Sequence, residues 1–286
     1  MRLRSYGKIN LFLNIVGKRE DNYHNIETLI QRVDLMDEID LHVDKDYKGI
    51  KINISCNKEE VPTDNRNLCY KACMWFMEKY NLQGSVNIHI NKNIPISAGL
   101  AGGTSNGAEV IKALNCIYDL NISLKELSYE SIVLGADFPY CITGGTVLCE
   151  EIGDKLKSIK PFINNVIVIV KPDFGFNTKD VYENFNLENI KYNINKEEII
   201  KFLNTDNFYG VCKNISNTLE YSSVKGMDVI KNIKKDLNRL GAINSSMSGS
   251  GSSVYGIFDN LYVAQKCYDY FKENYKEVYI TKTIDN

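Results

Sequence analysis

The stretch Ile94–Glu109, IPISAGLAGGTSNGAE, places four glycines, three alanines and three hydroxyl side chains in sixteen positions. Neither a regular helix nor a strand is built from that composition. A loop whose backbone amides come close to a bound group is, because glycine accepts positive φ and lets an anion reach the main chain. Two common phosphate loops are excluded. A Walker A loop needs a lysine before its Ser or Thr, whereas Gly102-Gly103 runs straight into Thr104-Ser105. The dinucleotide pattern GxGxxG is absent here and around Gly249–Gly251. What remains is a loop that becomes a helix at about Gly103–Ser105, whose free first-turn amides attract phosphate without a lysine. Thr104 and Ser105 either add hydroxyl donors or cap that helix. On this stretch alone, a mobile capped connection is the alternative.

The flanking sequence reads as alternating strands and helices. Ile9–Val16, Ile39–Val43, Ile50–Ile54 and Val86–Ile90 are β-branched and roughly alternating, which predicts strands. Asn67–Tyr80 has helical periodicity with Leu68, Ala72, Trp75 and Phe76 on one side. Helices are also expected over Gly107–Leu120 and over Leu124–Leu134, the latter closed by Gly135. Near residue 160 the pattern restarts with VIVIV at Val166–Val170, a buried strand that Pro172 ends. Helices over Lys179–Phe185, Lys196–Leu203 and Val224–Leu240 follow. A second glycine turn, SMSGSGSSVYGIF, leads into a strand at Val254–Phe258 and a helix at Ala264–Tyr275. The expectation is α+β, in two halves joined near 150–165, with boundaries at 1–158 and 159–286 and no internal repeat.

Bulk composition narrows the function class. The 286 residues are 44% hydrophobic and 24% charged, enough for a sizeable core and unlike a disordered chain. A formal charge of −2 lacks the basic excess of a nucleic-acid binder. The eight cysteines contain no CxxC pair and form no zinc pattern with the three histidines, so they read as small core residues of a reducing compartment. The N-terminus starts basic and turns apolar, but Asn10 and Asn14 interrupt the run, and no window reaches the ~18 apolar residues of a membrane span. A cytoplasmic protein that binds neither nucleic acid nor membrane is expected, as a monomer or weak homodimer.

Three motifs together carry a resemblance. Pro95–Ser105 reads Pro-x3-Gly-Leu-x-Gly-Gly-Thr-Ser; GKINLFLNIVGKREDNYHNI lies near the N-terminus, and SMSGSGSSVYGIF near the C-terminus. The set resembles the galactokinase, homoserine kinase, mevalonate kinase and phosphomevalonate kinase superfamily across the whole chain. Lys8-Ile9-Asn10-Leu11, Gly17-Lys18-Arg19, the Tyr23-His24 pair and Leu134–Cys141 with Gly144-Gly145-Thr146 are similar to the branch that phosphorylates a cytidine diphosphate-linked methylerythritol in the non-mevalonate isoprenoid pathway.

That resemblance implies a two-domain small-molecule kinase fold with its active site in the cleft between domains, using ATP and Mg2+. It implies Asp137 as the base that takes the substrate hydroxyl proton, set at the end of a helix, with Lys8 beside it keeping the carboxylate ionised. Asn10 faces the same side as Lys8 by strand alternation and becomes a substrate-binding amide. Tyr23 and His24 take the cytidine end, joined by Tyr182 and Thr178; Tyr182 could equally pack on the core. The loop residues Pro95, Ala98, Gly99, Leu100, Ala101, Gly102, Gly103, Thr104 and Ser105 cradle the ATP phosphates, and Gly249 lies against substrate. Asn67 and Lys92 line the nucleoside end or else sit at the surface. No metal ligand is identified, with Ser105 the one candidate.

Three features depart from the superfamily pattern. Ala101 stands where glycine is usual. Gly107 stands for a usual alanine, at a helix cost of ~1 kcal/mol. After Thr146 the chain reads VLCEEIGDKL in place of a glycine-rich segment. Other small-molecule kinases of the superfamily, and a non-catalytic ligand sensor on the same fold, are the competing readings.

Overall fold

In the computed structural model, the described residues are 1–20, 24–190 and 195–285. The chain runs from β1 (Arg2–Lys18) and β2 (His24–Asp44) through β3 (Ile50–Cys56), α1 (Leu68–Lys79) and β4 (Gly84–Asn91) to α2 (Gly102–Ile117). Helices α3 (Leu124–Glu130) and α4 (Phe138–Thr143) precede β5 (Thr146–Glu151), β6 (Lys155–Ser158) and β7 (Val166–Lys171). Next come α5 (Thr178–Glu183), α6 (Lys196–Asn204), α7 (Phe208–Lys213), β8 (Ser216–Asn217) and α8 (Met227–Arg239). The chain closes with β9 (Asn244–Met247), β10 (Val254–Phe258), α9 (Leu261–Lys272) and β11 (Glu277–Lys282). Two compact units interleave along the sequence. The first holds Met1–Gly7, Leu35–Ile96 and Ala101–Thr143; the second holds Lys8–Asp34, Ser97–Leu100 and Gly144–Asn286.

In the first unit, β3 runs parallel to β4, and β4 pairs antiparallel with β2 over Glu38–Asp44. Period-two burial follows the sequence: Val86, Ile88 and Ile90 point inward, and Asn87 and His89 are exposed. Helix α1 starts where Asn67 caps it, the side-chain oxygen accepting from the Cys69 amide at 2.8 Å. It packs along α2, burying Phe76, Met77, Ile111 and Leu114. Helix α2 begins at Gly102, next to the Gly103–Ser105 start read from the glycine loop and five residues ahead of the periodic stretch from Gly107, which falls in its second turn. A Cβ on Gly107 would lie 2.9 Å from the Phe138 ring and 3.1 Å from the Leu68 carbonyl. The glycine expected to be a pure helix cost is therefore what lets α1, α2 and Phe138 meet.

In the second unit, β2 pairs antiparallel with β5 over Ile26–Gln31, and β8 runs parallel to β1. A separate four-stranded antiparallel sheet has the order β11-β7-β10-β9. Ile167–Val170 in β7 are all fully buried, as a continuous apolar run with two covered faces requires. Helix α8 presents Met227, Ile230, Ile233 and Leu237 at helical spacing to Val168, Val170 and Phe271 of that core. The altered segment VLCEEIGDKL forms the β5–β6 hairpin, with Glu151 and Gly153 at positive φ in its turn.

Six cysteines are buried as expected, but Cys56 is half-buried and Cys116 is exposed at the end of α2. Burial pushes the Cys73, Cys212 and Cys267 thiols up to about 12, which keeps them neutral and unreactive. Among the described residues, no helix is long and apolar enough to cross a membrane.

Candidate functional site

The second unit holds Lys8, Asn10, His24, Ala98–Leu100, Thr178, Tyr182 and Gly249 of the residues that the sequence singled out. Strand alternation puts Lys8 and Asn10 on one face of β1, and the Lys8 ammonium donates to Asn10 Oδ1 at 2.7 Å. Asn10 Nδ2 donates to the Thr28 hydroxyl at 2.8 Å, and Thr28 donates on to the Phe12 carbonyl at 2.6 Å. The Asn10 carbonyl accepts from the Tyr255 hydroxyl at 2.7 Å, and burial raises the Tyr255 pKa well above the ordinary phenol value. Lys8 is only 4% exposed, so its ammonium is fixed rather than solvated.

The two glycine turns meet over this lysine. The Lys8 amide donates to the Leu100 carbonyl at 3.1 Å, and the Ser253 amide to the Ala98 carbonyl at 3.2 Å. Ser248 Oγ donates to the Gly99 carbonyl at 2.9 Å. Gly99 has φ +71°, and a Cβ there would fall 2.0 Å from the Ser248 carbonyl. A Cβ on Gly249, at φ +55°, would fall 2.9 Å from Lys8 Nζ and 3.4 Å from Asn10 Oδ1. Gly99 needs glycine because main chain passes main chain there, whereas Gly249 is favoured by its positive φ and by the close Lys8 ammonium and Gly99 carbonyl. Next to Gly249, Ser250 Oγ is 2.9 Å from the hydroxyl of Thr178, the first residue of α5. One turn further along α5, the Tyr182 ring lies 5.5 Å from the His24 ring, tilted by 37°. Partial burial, then the nearby Lys18 charge, lower the His24 pKa and favour the neutral imidazole. Tyr182 also packs against the core, the alternative that the sequence left open for it. Tyr23 lies outside the described residues.

The first unit holds the helix end of the glycine loop. Ala101 is the N-cap of α2 in the left-handed region (φ 54°, ψ 24°), without a side-chain cap. The Ser105 amide closes the first helical bond to the Ala101 carbonyl at 2.8 Å, which leaves the Gly102–Thr104 amides ahead of the ladder. Thr104 and Ser105 thus lie inside the first turn instead of capping it. Just before this loop, Pro95 follows a backbone held by Asp37: its Oδ1 accepts from the Asn93 amide at 2.7 Å and the Ile94 amide at 2.8 Å. Asp37 Oδ2 is ion-paired with the Lys92 ammonium, both groups buried. A Cβ on Gly102 would lie 2.7 Å from that ammonium. Lys92 is therefore not a surface residue; it sits under the start of α2. Asn67 is likewise buried, as the α1 cap. Asp137 is half-buried immediately before α4, and its carbonyl accepts from the Cys141 amide at 3.0 Å. It thus precedes a helix where the sequence suggested the end of one: the preceding helical turn, Ser131–Leu134, stops at Gly135 with φ 146°. Among the described residues, no group of three or more His, Cys, Asp or Glu could hold a metal ion.

The sequence pattern matches the family description for the N-terminal domain of GHMP kinases over residues 67–145 and that for their C-terminal domain over residues 200–277. The chain belongs to the GHMP kinases. It is an ATP-dependent small-molecule kinase. It is 44% identical over its full length to a 4-diphosphocytidyl-2-C-methyl-D-erythritol kinase of Clostridium perfringens, covering 99% of that protein. It is 48% identical over 99% of its length to the protein of that name from Clostridium novyi, all of which it covers. Among solved structures, a 4-(cytidine 5'-diphospho)-2C-methyl-D-erythritol kinase matches with TM-score 0.83 and 26% identity, each chain covered completely. A homoserine kinase from Cytophaga hutchinsonii shares the fold, with TM-score 0.73 and 18% identity over all of this chain and 95% of that one.

Two residues important to this geometry carry no motif. Asp37 lies in phase with the buried Ile39 and Leu41 of β2, a charge on an inward face that period two would have flagged. Asn217 lies on a two-residue strand too short to have a period.

Proposed function

We propose that this GHMP kinase transfers the γ-phosphoryl group of ATP to the tertiary 2-hydroxyl of 4-(cytidine 5'-diphospho)-2-C-methyl-D-erythritol, a step of the non-mevalonate isoprenoid precursor pathway. The observation that carries the substrate is the ring pair of His24 and Tyr182 in a chain 44–48% identical to kinases named for that alcohol. Cytosine offers a flat face to Tyr182 and a hydrogen-bonding edge to the neutral imidazole of His24. One aromatic stack contributes ~1–3 kcal/mol per base. Tyr23 and Thr178 complete the cytidine end.

The chemistry asks for positioning and charge stabilisation more than covalent work. Asp137 accepts the hydroxyl proton as the oxygen attacks the γ-phosphorus. Lys8, pinned by Asn10, stabilises the developing alkoxide and the charge on the transferred group. Asn10 and the Gly249 backbone orient the acceptor. The Gly102–Thr104 amides at the start of α2, with the loop Pro95–Ser105 shaping the approach, receive the β- and γ-phosphates, and Asn67 and Lys92 belong to the nucleoside end. A magnesium ion would take its ligands mainly from phosphate oxygens and water, with the Ser105 hydroxyl as the one protein candidate, and would supply neutralisation of phosphate charge. Residues 1–158 carry the nucleotide and catalytic groups in this reading and residues 159–286 the substrate side. The enzyme works in the cytoplasm as a monomer or weak homodimer.

Release of ADP from ATP and Mg2+ in the presence of the cytidyl alcohol, and not with mevalonate or homoserine, is the test. Asp137→Asn should lower kcat by ~10² or more with nucleotide affinity nearly intact. Turnover of a different alcohol alone sinks the substrate assignment; near-normal turnover by the variant sinks the role of Asp137.

A further inference from the structure

The second glycine turn is held from below by a residue without an assigned role. Asn217 is 1% exposed and pairs across from Leu13 of β1. The adjoining Thr218 hydroxyl locks that pairing, accepting from the Ile15 amide at 3.0 Å and donating to the Leu13 carbonyl at 3.2 Å. The Asn217 side-chain amide is then fully used. Its oxygen accepts from the Leu219 amide at 2.9 Å, and its nitrogen donates to the Met247 carbonyl at 2.9 Å and the Gly249 carbonyl at 2.7 Å. Those two carbonyls flank Ser248, whose hydroxyl bonds Gly99 of the first glycine loop. Glu220 steadies the same strand end, accepting from the Ser246 hydroxyl at 3.0 Å and the Met247 amide at 2.8 Å while paired with Lys234.

The consequence reaches Lys8. Gly249 has so little room that even a methyl group would stand 2.9 Å from the Lys8 ammonium. Whatever fixes the Gly249 carbonyl fixes the wall against which Lys8 rests. Two N–H donors on one buried planar amide do this in a way that neither a hydroxyl nor a carboxylate can reproduce. We infer that Asn217 is a positioning residue for phosphoryl transfer: it holds the Met247–Gly249 backbone against Lys8, so that its loss lowers turnover and leaves ATP affinity largely unchanged. This rests on the kinase reading above for its substrate, but not for its geometry.

Asn217→Ser keeps a good cap for Leu219 and deletes both donations to the turn. Asn217→Asp keeps the shape but turns a carboxylate oxygen toward two carbonyls, and it serves as the second variant if the first fails to fold. With the cytidyl alcohol as acceptor, either variant should lose at least ~10-fold in kcat with KM for ATP within about two-fold of the parent, the scale that misplacement of a catalytic group produces. In a Lys8→Met background, measured by single turnover, Asn217→Ser should cost little more, because it acts through the lysine; a purely structural residue would impose the same loss in both backgrounds. Amide hydrogen exchange on the same proteins reads the positioning without any substrate. Exchange at Ser248–Gly251 should rise at least ~10-fold, with β10 unchanged. Unchanged exchange in the turn, or full kinetic additivity with Lys8→Met, overturns the inference. Absence of parent turnover with the cytidyl alcohol overturns the proposed substrate instead, and leaves the exchange result to decide on Asn217.

Discussion

The buried Asp37–Lys92 pair is the strongest single prediction of the fold around the phosphate loop. Asp37 has no exposed surface and Lys92 is 6% exposed, so neither charge can turn to water. Asp37→Asn preserves shape and an oxygen for the Asn93 and Ile94 amides, yet leaves the Lys92 ammonium buried without a counter-charge. Removing one partner of such a pair costs about 3–5 kcal/mol, a large share of the ~5–15 kcal/mol that holds an ordinary domain together. The only tryptophan, Trp75, lies in α1 of the same unit and reports its unfolding in urea by fluorescence. The variant's midpoint should drop by the equivalent of ~3 kcal/mol or more at unchanged m value. Replacing Lys92 as well, as Asp37→Asn with Lys92→Met, should recover at least half of that loss, because no unpaired charge remains while the amide oxygen still accepts from the Asn93 and Ile94 amides. Because Asp37 also sets the backbone entering the loop, KM for ATP should rise in the single variant while KM for the alcohol stays constant. A loss under ~1 kcal/mol, or a double variant worse than the single one, would refute the reasoning.

Ala101 and Gly107 give two opposite predictions on one helix. Ala101 occupies the left-handed region at a cost of roughly 1 kcal/mol, so Ala101→Gly should raise the melting temperature by roughly 2–4 °C; a decrease would contradict the strain. Gly107→Ala gains ~1 kcal/mol in helix propensity but presses a methyl into Phe138, a net loss of ~1 kcal/mol or so that denaturant titration can read. For His24, burial and Lys18 lower the pKa below its ordinary 6.5, so the unfolded chain takes up this proton first as pH falls. Its stabilising effect is intact above pH 6.5 and lost as pH drops toward the folded value. An NMR titration of the ring should give a midpoint under 6.5 that moves up in Lys18→Met, whereas a midpoint above 6.5 would refute the burial.

Local periodicity revealed the parts of this molecule that depend on neighbours in sequence. The spacing of Lys8 and Asn10 put both on one face, and the helix after the glycine loop followed from composition. Helix α8 and strand β7 appeared nearly as expected because their apolar patterns are complete within one element. What stayed hidden depended on partners far along the chain. Strand β2 extends over 21 residues although charged side chains interrupt its alternation, because pairing with β4 and β5 sustains it. Gly107 looked like a defect until Phe138, 31 positions on, proved to occupy the space of its missing side chain. Asn217 joins a strand end to a turn 30 and 32 residues away, which no local pattern encodes.

The most direct measurement is phosphorus NMR of the product formed from ATP, Mg2+ and 4-(cytidine 5'-diphospho)-2-C-methyl-D-erythritol. One new phosphomonoester signal, coupled through carbon to the tertiary centre that bears the 2-hydroxyl, with the cytidine diphosphate bridge intact and one ADP per product, is the expected result. Phosphate on another hydroxyl, free inorganic phosphate alone, or an untouched alcohol would contradict the proposed reaction.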